Sequence, residues 1–231
     1  MKNKLRLFLI LSLSSFSFFL SPISGQKIKG AVALGINLSQ VDGDEVYGFH
    51  KYGINVGPSA IMSFNKHWSV SIETLYNQKG SYQKPTSIDS ASGEYRLQLD
   101  YVEVPLLVHF EDRDTWTFGA GFSWGRLINV KEYQHGVRIP STTIDGPYKT
   151  SDWDIIADVQ FRIWKGLKFD GRYAYTIVPI RTRVFDNTLL TWSRKQYNSV
   201  ISFRLIYVIN DDSPPRVKRK KKDRKELLIP E

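Results

Sequence analysis

The sequence predicts an all-β fold, an eight-stranded antiparallel up-and-down transmembrane β-barrel. Three observations in its 231 residues support this prediction. Apolar and polar residues alternate with a period of two along most of the chain, which is typical of strands with two unlike faces. Short and long connections between these segments follow each other in strict alternation. The polar faces carry charges of both signs, which can pair with one another inside a filled barrel.

Residues 1–25 are predicted to be a secretory signal peptide. Three basic residues stand among the first six, an apolar run diluted by serines covers 7–20, and small residues at 21–25 suit a signal peptidase. The apolar run is too short to span a membrane comfortably, which takes about 20 apolar residues. We expect cleavage after Gly25, so that the barrel domain occupies 26–210.

Eight alternating segments make up the predicted barrel. The clearest is 167–177, where bulky apolar residues occupy one face while Asp170 and Arg172 lie on the other. Segments of about ten residues with this alternation are typical of strands that cross an outer membrane. The eight segments are 28–40, 52–64, 68–82, 95–111, 116–131, 150–164, 167–181 and 195–209.

The fourth segment changes phase. Its apolar residues fall on odd positions as far as Leu99 and on even positions from Val102 onward. An extra residue in a strand moves every later side chain to the opposite face. A bulge is therefore predicted near Asp100 and Tyr101, after which Pro105 points into the barrel.

The lengths of the connections predict the orientation of the barrel. Short connections are predicted at 65–67, 112–115 and 165–166, and long polar ones near 41–51, 83–94, 132–149 and 182–194. Outer-membrane barrels have short periplasmic turns and longer outer loops. Because the chain begins and ends on the side of the short turns, both termini are expected in the periplasm.

The polar face is expected to line the lumen, and the apolar face is expected to contact lipid. Aromatic residues near the strand ends favour this arrangement, since aromatic girdles mark the two membrane interfaces. A structural network of charges is predicted in the lumen, in which Glu73 and Glu103 pair with Arg172 or Arg204. Its expected members are Glu73, Glu103, Asp158, Arg162, Arg172 and Arg204. A soluble carrier barrel with its apolar face inside remains the alternative.

The last 21 residues, 211–231, form a basic tail that starts at a break rich in aspartate and proline. The tail is interpreted either as a solvated, disordered extension or as a periplasmic segment that docks to an acidic partner or to anionic headgroups. The residues predicted to dock are Arg216, Lys218, Arg219, Lys220, Lys221, Lys222, Arg224 and Lys225. A nucleic-acid partner is not expected, because the signal peptide places the tail outside the cytoplasm.

The composition argues against most catalytic chemistry. Cysteine is absent, which rules out a disulfide framework, a thiolate metal site, a cysteine nucleophile and a lipoprotein anchor. A barrel enzyme acting on lipid would need a serine, a histidine and an acid together near one membrane face, and only His135 with loop serines is a candidate. The four histidines are scattered and expected to be ordinary surface residues: His50, His67, His109 and His135.

No catalytic residue, cofactor or metal is therefore expected, and no small-molecule substrate is evident. The stretch 42–45, Asp-Gly-Asp-Glu, superficially suggests a calcium loop. It lacks the rest of the EF-hand pattern, and it is predicted to be a polar turn.

Several stretches resemble the PorT-type outer-membrane barrel family. Residues 100–107, Asp-Tyr-Val-Glu-Val-Pro-Leu-Leu, are similar to the family's Y-ϕ-E-ϕ-P-L-L stretch, and 73–80 are similar to its E-x-x-Y-x-Q-K-G stretch. Residues 119–121 and 170–175 also fit the pattern, and the resemblance spans 30–209. It implies an eight-stranded barrel in the outer membrane. For the name-giving member it implies an accessory role in the type IX secretion and gliding machinery, which exports proteins that carry a C-terminal sorting domain.

The leading hypothesis is a non-enzymatic barrel that serves a protein-export assembly in the cell outer membrane. Its expected partners are outer-membrane lipid and other envelope proteins of that assembly. The first alternative is a free-standing small barrel with an adhesive or envelope-stabilising role. The second is a barrel enzyme that modifies envelope lipid.

Overall fold

The structure, a computed structural model, describes residues 28–85, 93–112, 115–140, 143, 146–187, 190–209 and 211. The predicted signal peptide and all but the first residue of the predicted tail lie outside these residues. In the described part, no helix is long and apolar enough to cross a membrane.

Within the described ranges, antiparallel strands make up most of the chain. The strands are β1 (Ile28–Asp42), β2 (Lys51–Ser63), β3 (Trp68–Glu73), β4 (Leu75–Gln83), β5 (Tyr95–Asp112), β6 (Trp116–Gln134), β7 (Val137–Ile139), β8 (Ser151–Trp164), β9 (Leu167–Thr176), β10 (Arg181–Asn187) and β11 (Leu190–Val208).

Eight strand positions close into a barrel, as predicted. β3 and β4 together form one wall strand that is interrupted at Thr74, whose amide donates to the carbonyl of Pro58 at 2.9 Å. Each wall position pairs with the next, and the last returns to the first, in the order β1, β2, β3 with β4, β5, β6, β8, β9, β11 and β1. The fold is therefore an all-β antiparallel barrel.

The predicted alternation of short and long connections is confirmed. The connections after β2, β5 and β8 are short, and we call the end where these strands finish the turn end of the barrel. The turn after β8 needs Gly166, whose φ of 74° lies in the left-handed region that glycine adopts without a steric penalty. β1, β4, β6 and β9 each finish at the opposite end of the barrel, which we call the loop end.

Two of the predicted long loops contain strands. β10 pairs with the first part of β11 from Arg181–Gln196 to Asn187–Leu190, so the eighth wall strand begins before the predicted residue 195. β7 pairs likewise with the end of β6. Pairing satisfies backbone groups that would otherwise need water, and it extends both hairpins beyond the predicted strand ends.

Apolar side chains point away from the barrel axis, and polar ones point toward it. Phe169 and Phe203 are 41% and 40% exposed, while Asp170 and Arg204, their neighbours in sequence, are 0% and 1% exposed. Large aromatic residues are also exposed beside the turns, among them Trp68, Trp116 and Trp164. The orientation of the two faces is therefore the predicted one, which excludes the alternative of a carrier with an apolar interior.

The predicted bulge occurs at the predicted level along the barrel axis. The extra residue, however, belongs to β6 and not to β5. The register between β5 and β6 does shift at Asp100 and Tyr101. Asp100 pairs with Asn129 and Tyr101 with Leu127, so the extra residue is Ile128 of β6. The odd positions of β5 consequently face inward along its whole length. The inward apolar residues near the loop end are Tyr95, Leu97, Leu99 and Tyr101.

The lumen is therefore layered rather than charged throughout. An apolar cluster, the loop-end plug, fills the loop end with Val41, Val46, Tyr95, Leu97, Leu99, Tyr101, Leu127, Val130, Tyr148 and Ile180. A smaller apolar cluster contains Ala31, Ala33, Ile206 and Val208 near the turn end. A third apolar cluster contains Leu107, Ile156, Ala174 and Val200, and charged side chains occupy much of the remaining lumen. Pro105 points inward as predicted.

Candidate functional site

The centre of the lumen contains four of the six residues predicted to form a charge network. Arg172 donates from Nη1 to Glu73 Oε2 at 3.0 Å and from Nη2 to Glu73 Oε1 at 2.9 Å. Arg204 Nη1 donates to the same Glu73 Oε2 at 3.0 Å, and its Nε donates to Asp170 at 2.6 Å. Asp158 accepts from Arg172 at 3.0 Å. We call these five residues the central network.

Strand register explains part of the central network. Asp158 and Arg172 are direct partners in the pairing of β8 with β9, and Asp170 and Arg204 are direct partners in the pairing of β9 with β11. Glu73 reaches them from β3 on the far side of the lumen. Opposite charges on paired strands attract each other locally, whereas the contacts of Glu73 depend on closure of the barrel.

A second cluster, which we call the lysine cluster, was missed by the sequence analysis. Lys79 Nζ lies 2.7 Å from Glu103, 3.0 Å from Asp152 and 2.6 Å from Asp154, and its side chain is fully buried. The expected pairing of Glu103 with Arg172 or Arg204 is therefore wrong. A signal was present in the sequence, because Lys79 lies an even number of residues after Glu73 and so shares its inward face.

The lysine cluster also brings together three carboxylates. Oxygens of Glu103, Asp152 and Asp154 lie within 4.8 Å of one another, a spacing that could suit a metal ion. The ammonium group of Lys79 lies against all three carboxylates and supplies positive charge there. The arrangement is thus a buried ion cluster in which one lysine faces three acids.

Arg162 lies outside the central network, contrary to the prediction. It is close to the turn end, where Nη2 donates to Glu111 at 2.9 Å and Nη1 donates to Asp211 at 3.3 Å. Asp211 also accepts from Lys29 at 3.0 Å and from the backbone amide of Gly166 at 3.1 Å. Because β8 ends at Trp164, the side chain of Arg162 reaches the rim rather than the middle of the lumen.

His109 is buried, contrary to the expectation of four surface histidines. Its Nε2 lies 2.8 Å from Ser71 Oγ, and its Nδ1 lies 3.7 Å from Asp158. A serine, a histidine and an acid are thus adjacent, although not at His135. Ser71 and His109 line a cavity of about 20 Å³, which holds about one water molecule and leaves no space for a lipid chain.

Polar contacts also hold the loop end closed. The Tyr95 and Tyr148 hydroxyls donate to Glu132 at 3.1 and 3.0 Å, and Arg181 donates to the Tyr148 hydroxyl at 2.8 Å. Burial and the neighbouring Glu132 carboxylate raise the pKa of the Tyr148 hydroxyl above its usual value. The hydroxyl therefore stays protonated and remains a donor.

The stretch 42–45 forms the predicted polar turn. Asp44 accepts from the Val46 amide at 2.8 Å and from the Ser81 hydroxyl. Burial raises the pKa of the Asp44 carboxyl to about 6, an effect that the bonds from Ser81 and Val46 only partly offset. The carboxylate of Asp44 thus links this connection to the end of β4.

A comparison with protein families agrees with the observed fold. The family model described as "Outer membrane protein beta-barrel domain" matches residues 25–180, which include β1 to β9. No curated protein matches the sequence.

The chain is also similar, at low sequence identity, to several solved structures. The attachment invasion locus protein Ail of Yersinia pestis is 14% identical, with 78% of this chain and 98% of that chain covered and a TM-score of 0.46. Neisserial surface protein A is 14% identical, with 80% and 99% covered and a TM-score of 0.42. OprG of Pseudomonas aeruginosa is 10% identical, with 78% and 94% covered and a TM-score of 0.37.

Proposed function

The chain belongs to the outer membrane protein β-barrel domain family, and from that premise we propose that it is a non-enzymatic accessory component of a protein-export assembly of the type IX, gliding-associated kind. In this proposal the turn end and both termini face the periplasm, and the loop end faces outward. The barrel anchors the assembly in the outer membrane and contacts its partners through the two ends.

The observation that carries this proposal is the filled lumen. Leu97, Leu99 and Tyr101 in the loop-end plug are completely buried, and the central network and lysine cluster occupy the space below them. Eight strands enclose only enough room for side chains. A barrel without an open channel is suited to act through its surfaces. Stepwise ion conductance of the reconstituted protein in a planar bilayer would argue against an anchoring role.

The turn end offers a defined starting point for the basic tail. Asp211 accepts hydrogen bonds from Lys29, Arg162 and Gly166, which belong to different segments at the turn end. The first residue of the tail is therefore held beside β1 and the β8–β9 turn. We propose that its basic residues, from Arg216 to Lys225, dock to an acidic envelope partner of the assembly.

The test is a clean deletion of the gene, scored for the accumulation of exported proteins in the periplasm. Accumulation that is reversed by the full chain supports the proposal, and normal export overturns it. A chain truncated after Asp211 tests the tail separately. It is expected to fold, as judged by heat-modifiable migration in gels, and to fail in export. Normal export by the truncated chain would restrict the proposal to the barrel.

The alternative of a free-standing barrel with an adhesive role is favoured by one feature, the hairpin of β10 and β11 at the loop end. Val184 on this hairpin is 62% exposed, and exposed apolar residues on a projecting element are suited to contact another surface. Affinity purification from a detergent extract separates the two proposals. A stable complex with other envelope proteins supports export, and recovery of the barrel alone supports the free-standing role.

A further inference from the structure

The wall of the barrel is open at one seam, between β2 and β4 near the loop end. The two strands are partners only at Asn55–Asn77 and Val56–Tyr76. Beyond this point β2 continues to pair with β1 as far as Lys51, and β4 continues to pair with β5 as far as Gln83. The facing edges of β2 at 51–54 and of β4 at 78–83 therefore have no strand partner.

Side chains replace the missing backbone ladder at the base of the seam. Asn37 Nδ2 donates to the carbonyl of Gln78 at 2.9 Å and to the carbonyl of Ile54 at 3.4 Å. The Ile54 amide donates to the side-chain oxygen of Gln78 at 3.3 Å. Unsatisfied backbone groups are costly in hydrocarbon, so the part of the seam above these bonds must lie among polar groups.

A groove of about 390 Å³ occupies the open part of the seam. The side chains of Lys51, Lys84 and Arg96 line it together with one carboxylate, Glu94, so the lining carries an excess of positive charge. Lys51 Nζ bonds the carbonyl of Tyr52 at 2.6 Å, which holds the ammonium group at the groove. Cationic side chains beside strand edges that lack a strand partner are suited to bind an anion.

The groove continues into the lipid-facing surface. Tyr52, which also lines it, is 70% exposed and is followed on the same outer face by Ile54. Arg96 lies six residues toward the loop end from the exposed Val102, or ~20 Å along the strand. The cations thus lie on the loop-end side of the apolar surface, where the proposed orientation places the outer-leaflet headgroups. Tyrosine at this height is typical of a membrane interface.

We propose that this groove binds the phosphorylated glucosamine headgroup of an outer-leaflet lipopolysaccharide, with an acyl chain lying over Tyr52 and Ile54. The inference rests on the proposed orientation, in which the loop end faces outward. The phosphate contacts Lys84 and Arg96, and the sugar lies against Tyr52 and Tyr82, which both line the groove. The combination of an excess of cations, an adjacent apolar surface and an interfacial position fits an anionic amphiphile better than a soluble anion.

The test is binding of bisphosphorylated lipid A to the full chain in detergent, measured by native mass spectrometry. The Lys84→Gln, Arg96→Gln double variant is expected to bind at least tenfold more weakly than the wild type. The wild type is expected to lose a similar factor toward dephosphorylated lipid A. A matched control, Arg126→Gln with Lys149→Gln, removes the same two types of charge from exposed positions outside the groove and is expected to bind normally.

Equal binding of phosphorylated and dephosphorylated lipid A overturns the proposal, as does a control variant that is as weak as the groove variant. Complete displacement of lipid A by millimolar inorganic phosphate would also overturn it, since the groove would then be a site for a soluble anion. Heat-modifiable migration verifies that each variant is folded. Binding in detergent does not require an export assembly, so failure of this test and failure of the export test are distinguishable.

Discussion

Glu73 and Arg172 meet across the lumen through two bonds of 3.0 and 2.9 Å, although 99 residues separate them in the sequence. Both side chains are almost fully buried, and Arg204 bonds the same carboxylate from a third strand. Removing one partner of a buried ion pair leaves the other charge buried without a counter-ion. The resulting loss of folding free energy exceeds the net stabilisation that the intact pair provides. Glu73 is therefore the residue on which the central network depends.

The Glu73→Gln variant is expected to unfold more easily, with a free energy of unfolding lower by about 3–5 kcal/mol. The reason is that two buried guanidinium groups lose their shared counter-ion. The measurement is urea unfolding from lipid vesicles, followed by tryptophan fluorescence. Glu111→Gln is the control, since this rim carboxylate is 23% exposed in its pairing with Arg162. It should change stability by less than about 1 kcal/mol, and equal losses in both variants would contradict the interpretation.

Lys79→Met is expected to be similarly destabilising, by about 3–5 kcal/mol, because three carboxylates would then lack their only bonded cation in the lysine cluster. Adding Asp154→Asn should recover part of the loss, since one buried negative charge is removed. A double-mutant cycle in the same unfolding assay measures this coupling. Strict additivity of the two substitutions would show that Lys79 and Asp154 do not interact.

The inward and outward faces of β5 can be compared at adjacent positions. Leu107 is fully buried, whereas Leu106 is 53% exposed on the outer face. Leu107→Ala is expected to lower the free energy of unfolding by about 2–5 kcal/mol, because it leaves a cavity. Leu106→Ala should lose only about 1–2 kcal/mol of transfer free energy into lipid. If Leu106→Ala proved the more destabilising variant in vesicles, the assigned faces of β5 would be reversed.

Stability should depend on pH through Asp44. Its folded pKa of about 6 exceeds the ordinary value of 3.8, so the folded state holds its proton more tightly than the unfolded state. The free energy of unfolding is therefore expected to fall as pH rises from about 4 to about 6, by on the order of 1–3 kcal/mol, and then to level off. Asp44→Asn should lack this decrease.

The measurement for Asp44 is thermal unfolding in detergent between pH 4 and pH 8. Glu45→Gln serves as the control, because Glu45 is an exposed carboxylate in the same connection. It should retain the wild-type profile. A decrease of the same size in Asp44→Asn would assign the pH dependence to another group.

The resemblance to the PorT-type family concerns residues that build the barrel. In the two motif stretches, Glu73, Lys79 and Glu103 all point into the lumen and make its ion pairs. Their spacing is explained by the need to fill and neutralise the interior. The motifs therefore support the architecture directly, and the export role is an inference that the deletion experiment must test.

Local signals in the sequence were sufficient for the wall of the barrel. Alternation with a period of two defines two faces, and the order of short and long connections defines eight antiparallel strands with a common turn end. The position of the register shift between β5 and β6, at Asp100 and Tyr101, was predicted. The strand that carries the extra residue was not predicted. A bulge is a relation between two strands, and Ile128 of β6 gave no local signal of its own.

The sequence by itself thus determined the fold class, the number of wall strands and which face is polar, because these properties depend on neighbours a few residues apart. Only the tertiary structure decided that Lys79 meets Asp152 and Asp154, that Ser71 meets His109, and that the seam beside Tyr52 is open. These relationships depend on the stagger of the closed barrel, which sets which inward side chains share a height. Stagger is a property of the whole ring of strands, and no single strand encodes it.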